Sequence, residues 1–252
     1  MNRRDLLGAV TAAAGAGLVG AQQASAQGPI RVLCWSEMTE PKGVYPKGIN
    51  GALADYLNKQ PGIQAKVAAL QDADQGVSDS VLAQTDVLAW FGHQKHGEVR
   101  DERVNAIVDR MKNHGLGFLA LHSSHYSKVL KKALNSSGDL GGVGDGGQET
   151  VYVVNPAHPI AKGITDFALP EEEFYDEPFG IPEPDALVFF SVFSKGGKNG
   201  ILPRFRSGAC FEVGKGRLFY FRPGHETFPT WYHPSVQQII ANSCHWAARR
   251  TG

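Results

Sequence analysis

Cysteine is scarce in this sequence, with three residues in 252. Three thiols make no disulfide framework, so the fold has to be held by an ordinary core. Cys34 sits in an apolar run and Cys244 in a helically spaced segment, where a free thiol behaves as a small hydrophobe. Net charge is missing as well: 25 Lys and Arg balance 25 Asp and Glu. No global field is available to recruit nucleic acid or an anionic membrane. Long apolar runs are also absent. The N-terminal apolar stretch is short and rich in Gly and Ala, whereas a membrane span needs about 20 strongly apolar residues. Stable membrane insertion is therefore not expected. Several catalytic signatures are lacking too. There is no G-x-S-x-G elbow, no cysteine at the turn after the fourth predicted strand, and no G-x-G-x-x-G following a strand.

What is present begins with "MNRRDLLGAVTAAAGAGLVGAQQASAQ". A charged start with Arg3 and Arg4, a weakly apolar middle and Ala24-Ser25-Ala26 have the layout of a cleaved export signal. The paired arginines point to the twin-arginine route. Residues 1–27 are thus expected to be removed, with residues 28–252 forming a single α/β domain that works in the periplasm or outside the cell.

Along that domain, "IRVLCW", "IQAKVAAL", "DVLAWFG" and "GFLALH" are bounded apolar runs, as buried strands are. Between them, "GINGALADYLNKQ" and "DERVNAIVDRMKNHG" carry apolar residues at helical spacing, and "SKVLKKAL" follows the fourth strand. Apolar strands alternating with helices imply a mostly parallel sheet covered on both faces, a flavodoxin-like arrangement. The second half changes character. "ETVYVVN" and "ALVFFSVF" read as strands, "GACFEVGKGRLFYFRPG" as an antiparallel hairpin at the edge, and "SVQQIIANSCHWAARR" as a closing helix. "SSGDLGGVGDGGQ" (136–148) reads as a Gly-rich loop.

In open parallel sheets, ligands bind beyond the carboxyl ends of the strands. That edge collects an unusual set: Trp35 and Glu37 after the first strand, His93 and His96 after the third, His122 and His125 after the fourth, and His225, Glu226 and His233 after the late hairpin strand. Neutral imidazole is the commonest ligand of zinc and its first-row neighbours, and three protein ligands with an open position make a catalytic site. His93, His122 and His225 each follow a strand and are the expected ligands, with Glu226, His96 and His125 as alternatives. His114, His158 and His245 read as satisfied residues of helices and turns. The cluster "PEEEFYDEPF" (170–179) reads as a solvated acidic loop or, given its aromatics, as a carboxylate held where it acts as acid or base.

Four stretches then carry a family resemblance: "DVLAWFGHQKHGEVRDERV", "GLGFLALHSSHYSKVLKKAL", "HPIAKGI…ALPEEEFYDEPFGIPEPDALVF" and "GKGRLFYFRPGHETFPTWYHPSVQQIIANSCHWAA". Together they resemble the trehalose-utilisation (ThuA-like) family. The resemblance implies a fold similar to class I glutamine amidotransferases, with "LHSSH" at the nucleophile elbow and "RPGHE" at the strand-end histidine and glutamate. The cysteine nucleophile is replaced, so amidotransferase activity is not inherited with the fold. The sequence departs from the family pattern at "EMTEPKGVYP" and "GINGAL", where further histidines are usual, and at "NSSGDLGGVGDGGQE", where a Cys and a Trp-Arg-Glu run are usual. One wall of the pocket is therefore rebuilt.

The family's association with disaccharide use, alongside sugar dehydrogenases that make 3-keto glycosides, implies a small oxidised sugar as substrate. A ketone at C3 acidifies the C2 proton, and a divalent metal, zinc or manganese, suits such chemistry. The expected roles are His93, His122 and His225 for the metal; Glu173 or Glu37 as base; and Tyr175 as donor to the sugar or leaving group. His96, His125, Glu226, Trp231 and Tyr232 are expected to contact substrate. A functional link to a sugar dehydrogenase and assembly as a homo-oligomer are further expectations. Two rival readings remain at this level: a periplasmic sugar-binding protein without turnover, and direct glycoside hydrolysis by a carboxylate pair.

Overall fold

The computed structural model describes residues 28–197 and 199–250, so the expected export signal lies outside the described residues. The strands are β1 (Ile30–Ser36), β2 (Ile63–Ala69), β3 (Val87–Phe91), β4 (Gly117–Leu121), β5 (Gly142–Val153), β6 (Phe167–Asp176), β7 (Ala186–Phe193), β8 (Arg204–Val213) and β9 (Gly216–Phe221). They form one sheet in the order β2-β1-β3-β4-β9-β8-β7-β5-β6. The first five in that order are parallel, and the other four join antiparallel.

Helices cover both faces because the central strands are apolar on both sides. Alternate residues of β3 and β4 separate cleanly. Val87, Ala89, Phe91, Leu119 and Leu121 face α1 (Gly48–Leu57) and α5 (Pro234–Ala247). Leu88, Trp90, Phe118 and Ala120 face α2 (Asp79–Ala83), α3 (Asp101–His114) and α4 (Lys128–Leu134). In α3, the apolar residues Val104, Ile107, Val108 and Met111 are buried at helical spacing. Asp101 and Glu102 occupy its first turn, where the helix dipole favours negative charge. Gly115 then ends the helix at φ +79°, a left-handed conformation that favours glycine.

The antiparallel half is larger than an edge hairpin, and two expectations are corrected there. Half of the Gly-rich stretch belongs to β5, and the acidic stretch 170–179 is largely β6. Leu169, Glu172 and Tyr175 are buried while Pro170 and Glu171 are exposed, so this strand was hidden by its charges rather than by a lack of inward side chains. The far end of β6 curls back towards the sheet centre. Asp176 Oδ1 accepts from Arg204 N at 3.3 Å and Glu177 Oε1 from Arg206 N at 3.2 Å, although β7 and β5 separate β6 from β8 in the strand order. This curl brings Glu173 and Tyr175 over the tips of β4 and β9.

Candidate functional site

The site is built on the tips of three parallel strands. His122 leaves β4 in the left-handed region, with φ +50°. For a non-glycine residue this conformation is unfavourable, and it turns the imidazole sharply out of the strand line. The side chain is wholly buried. Its Nδ1–H donates to the Arg222 carbonyl at 2.8 Å, which leaves the Nε2 lone pair facing Tyr175 and Glu173. The Tyr175 hydroxyl donates to Nε2 at 3.2 Å, and Glu173 Oε2 stands 3.5 Å from it.

His93 comes from the loop after β3 and His225 from the loop after β9. One ligand-capable nitrogen from each of His93, His122 and His225 lies within 4.8 Å of the others. Ring centroids are separated by 4.9 Å for His93 and His225, 5.4 Å for His122 and His225, and 6.0 Å for His93 and His122. Three nitrogens on one tetrahedral zinc ion stand about 3.3 Å apart, given bonds of about 2.0–2.1 Å. The donor nitrogens stand up to about 1.5 Å further apart than one bound zinc ion would hold them. The structure thus brings together the three expected ligands and Glu173.

The electrostatics suit a cation. Burial, with the charges of Arg222 and His225 adding to it, holds His122 well below the ordinary histidine range. Burial also lowers His225, despite the opposing Glu173 carboxylate. Both imidazoles are therefore neutral, as metal ligands must be. For His93, burial is outweighed by Glu226, whose Oε1 lies 3.0 Å from Nδ1, and its pKa is raised. Glu226 is itself held by Gln94 Nε2 at 2.7 Å and the Thr39 hydroxyl at 2.9 Å. A carboxylate behind an imidazole is the usual way of fixing a ligand's ring orientation. Three imidazoles suit zinc, and the nearby Glu173 oxygen adds the kind of donor manganese accepts.

Other expected residues stand elsewhere. Glu37 is buried, and its Oε2 accepts from the backbone N–H groups of His93, Gln94 and Lys95 at 2.7–2.9 Å. It shapes the loop that carries His93, and a carboxylate so committed is no free base. His96 lies beside it, with Nδ1 3.7 Å from Glu37 Oε1. His125 is buried with Nδ1 2.7 Å from the Gly138 carbonyl, and burial pushes it down to about 4. It packs against Tyr175 and Phe179, so it supports the site instead of contacting substrate. Trp231 is wholly buried and donates to the Gly224 carbonyl at 3.0 Å, so it cannot stack on a sugar. Tyr232 is exposed and stacks on Tyr45 at 5.3 Å. Trp35 lies in the core, stacked on Trp90 with centroids 3.5 Å apart.

The groups behind the site are not legible in the sequence. Arg222, Glu149 and Glu172 are all buried and paired. Burial raises both carboxyls despite Arg222, Glu172 to about 7. The "YFRPGHE" stretch displayed the arginine, but its partners lie 50 and more residues away on β5 and β6.

Comparison with solved structures gives the same fold at low identity. A chain from Parabacteroides merdae, described as a candidate ThuA-like protein, is 16% identical with a TM-score of 0.67, covering 88% of this chain and 91% of that one. A similarly described chain from Bacteroides uniformis is 16% identical with a TM-score of 0.62, covering 88% and 93%. A chain from Thermoplasma acidophilum, described as a candidate GMP synthase subunit, is 12% identical with a TM-score of 0.50, covering 88% and 96%. No curated protein matches significantly. The ThuA family model, described as trehalose utilisation, matches residues 31–247. With nearly all of the described residues inside that match, the chain belongs to the ThuA family.

Proposed function

We propose that this chain is an exported, divalent-cation-dependent enzyme that acts on a 3-keto glycoside or related oxidised sugar by removing the proton next to the ketone. The observation that carries this reading is the convergence of His93, His122 and His225, with donor nitrogens within 4.8 Å of one another, beside Glu173, whose Oε2 is 3.5 Å from His122 Nε2. His93, His122 and His225 would hold the cation. When bound, it would supply Lewis-acid stabilisation of negative charge on the substrate's ketone and hydroxyl oxygens.

Glu173 is the base in this reading. Its carboxylate is partly open to solvent, whereas Glu37 and Glu226 are committed to backbone and side-chain donors. Glu173 takes the proton from C2, and the electron pair moves into the C2–C3 bond as charge reaches the C3 oxygen. Return of a proton to the opposite face of C2 gives the epimer, and protonation at C3, with the C2 hydroxyl becoming the carbonyl, gives isomerisation. Breaking of the C1–O bond, with a proton delivered to the departing oxygen, gives cleavage. Tyr175 has its hydroxyl on the same side of His122 and is the donor nearest to that role. A positioned acid or base contributes roughly 10²–10⁴-fold. A sugar dehydrogenase is the class of enzyme that supplies such a ketone. Paired-carboxylate hydrolysis is less well supported, because Glu37 and Glu226 are committed to other donors and, among the described residues of the site, Glu173 is the one carboxylate without such a commitment.

The test is incubation of the purified protein with 3-keto disaccharides in deuterated water, with elemental analysis of the same sample. Deuterium at C2 and about one equivalent of metal support the reading. No metal, with an unmodified disaccharide bound and released unchanged, refutes it in favour of a sugar-binding protein.

A further inference from the structure

Arg222 is wholly buried, and so are both of its carboxylate partners. Removing a guanidinium from water is unfavourable, and buried ion groups can often be replaced by apolar residues without loss of stability. Stability alone does not call for this arrangement. Arg222 Nε and Glu149 Oε1 even lack hydrogen-bond partners among the described residues.

The contacts of the group say what it holds. The Arg222 carbonyl accepts the Nδ1–H of His122 at 2.8 Å. One end of the guanidinium, Nη1, donates to the backbone carbonyl of Glu173. The other, Nη2, donates to Glu149 Oε2 and lies 3.7 Å from Glu172 Oε2. Glu172 in turn accepts from the backbone N–H of Gly224 at 3.0 Å and of His225 at 3.3 Å, and from the Thr230 hydroxyl. His122, Glu173 and His225 come from three separate strands, and all three hang on this one group. The contacts also tie the antiparallel strands β5 and β6 to the parallel half of the sheet, where β9 ends.

We propose that Arg222, Glu149, Glu172 and Thr230 form a positioning unit that sets His122, His225 and Glu173 relative to one another. Removing any member lets these side chains drift, while the overall fold persists. The proposal rests on the reading of the three histidines as cation ligands for one of its two readouts and on no assumed ligand for the other.

The first readout is the side-chain ¹⁵N–¹H spectrum of the cation-free protein labelled at histidine. The His122 Nδ1–H, buried and donated to a carbonyl, gives a slowly exchanging downfield signal. The second is zinc affinity, measured by competition with a chromophoric chelator. Arg222→Lys and Glu149→Gln are expected to shift or broaden the His122 signal and to weaken zinc binding about 10–100-fold, the range for loss of groups behind metal ligands. Thr230→Val and Thr230→Ser form a gentler pair that keeps side-chain volume or hydroxyl. Valine should weaken zinc binding about tenfold and serine should restore it. Folded variants that keep both the parental imidazole signal and the parental affinity overturn the proposal. So does a Thr230→Ser variant as impaired as the valine one. If the parent binds no zinc but the imidazole signal still responds to Arg222→Lys, the positioning unit stands and the cation reading of the site falls.

Discussion

Strain at His122 makes an unusual prediction about a simple pair of substitutions. Its φ of +50° lies in the left-handed region, which costs an L-residue about 1–2 kcal/mol and glycine almost nothing. His122→Ala removes the ring and keeps the backbone penalty. His122→Gly removes both. Each variant loses the stacking on Tyr175 at 5.2 Å and the bond to the Arg222 carbonyl at 2.8 Å. Both should therefore fall below the parent by about 2–4 kcal/mol. At an ordinary helical or extended position, glycine would be the weaker of the pair by about 0.5–1 kcal/mol. Here the order should reverse, with the glycine variant more stable by about 1 kcal/mol. For a domain of this size that difference moves Tm by about 2–4 °C, which calorimetry resolves. An alanine variant that melts above the glycine variant refutes the strained-elbow argument.

Four further outcomes are expected. Gly138→Ala drives a Cβ into the His125 carbonyl oxygen at φ +71°, and should destabilise the fold by about 2–4 kcal/mol in urea unfolding. Glu173→Gln should lower kcat by roughly 10²–10⁴-fold and abolish deuterium uptake at C2 while leaving zinc retention in place. Zinc at 100 times its Kd should raise stability by about 2.7 kcal/mol, an increment that a chelator removes and His225→Asn reduces. A pH effect is expected at Glu177. Burial alone would raise its pKa, but Arg206 at 2.9 Å outweighs burial and the folded value is depressed. A depressed carboxylate stabilises above its unfolded pKa of about 4.3, and that contribution is lost as pH falls through the lower folded value. Glu177→Gln should thus be less stable than the parent at pH 7, with the gap closing as acid unfolding is followed below about pH 4.

The strand tips were legible because a parallel strand buried on both faces must be apolar throughout, so the first polar residues after it stand out. His93, His122 and Glu37 were visible for that reason, and His225 because its strand ends in "RPGHE". The roles of Trp231 and His125 were not legible. Both follow a strand end in sequence, but a ring at a tip can turn towards the ligand side or back into the core. Trp231 turns back because Gly224, at φ +114°, brings the backbone against its indole. Glu37 looked like a free carboxylate until the loop after β3 wrapped its three N–H groups around it.

The alternation of strand and helix, the sheet edge at which polar chemistry collects and the residue types gathered there are all legible in the chain. Local periodicity and chain direction are enough for that. Which imidazoles meet, that the charged stretch 167–176 is a strand curling back over them, and that a buried arginine ties the two halves together emerge only on folding. Those contacts join residues from about 50 to 100 positions apart. No local pattern encodes which distant partner a buried charge will find; that choice is made by the packing that excludes water from all of them at once.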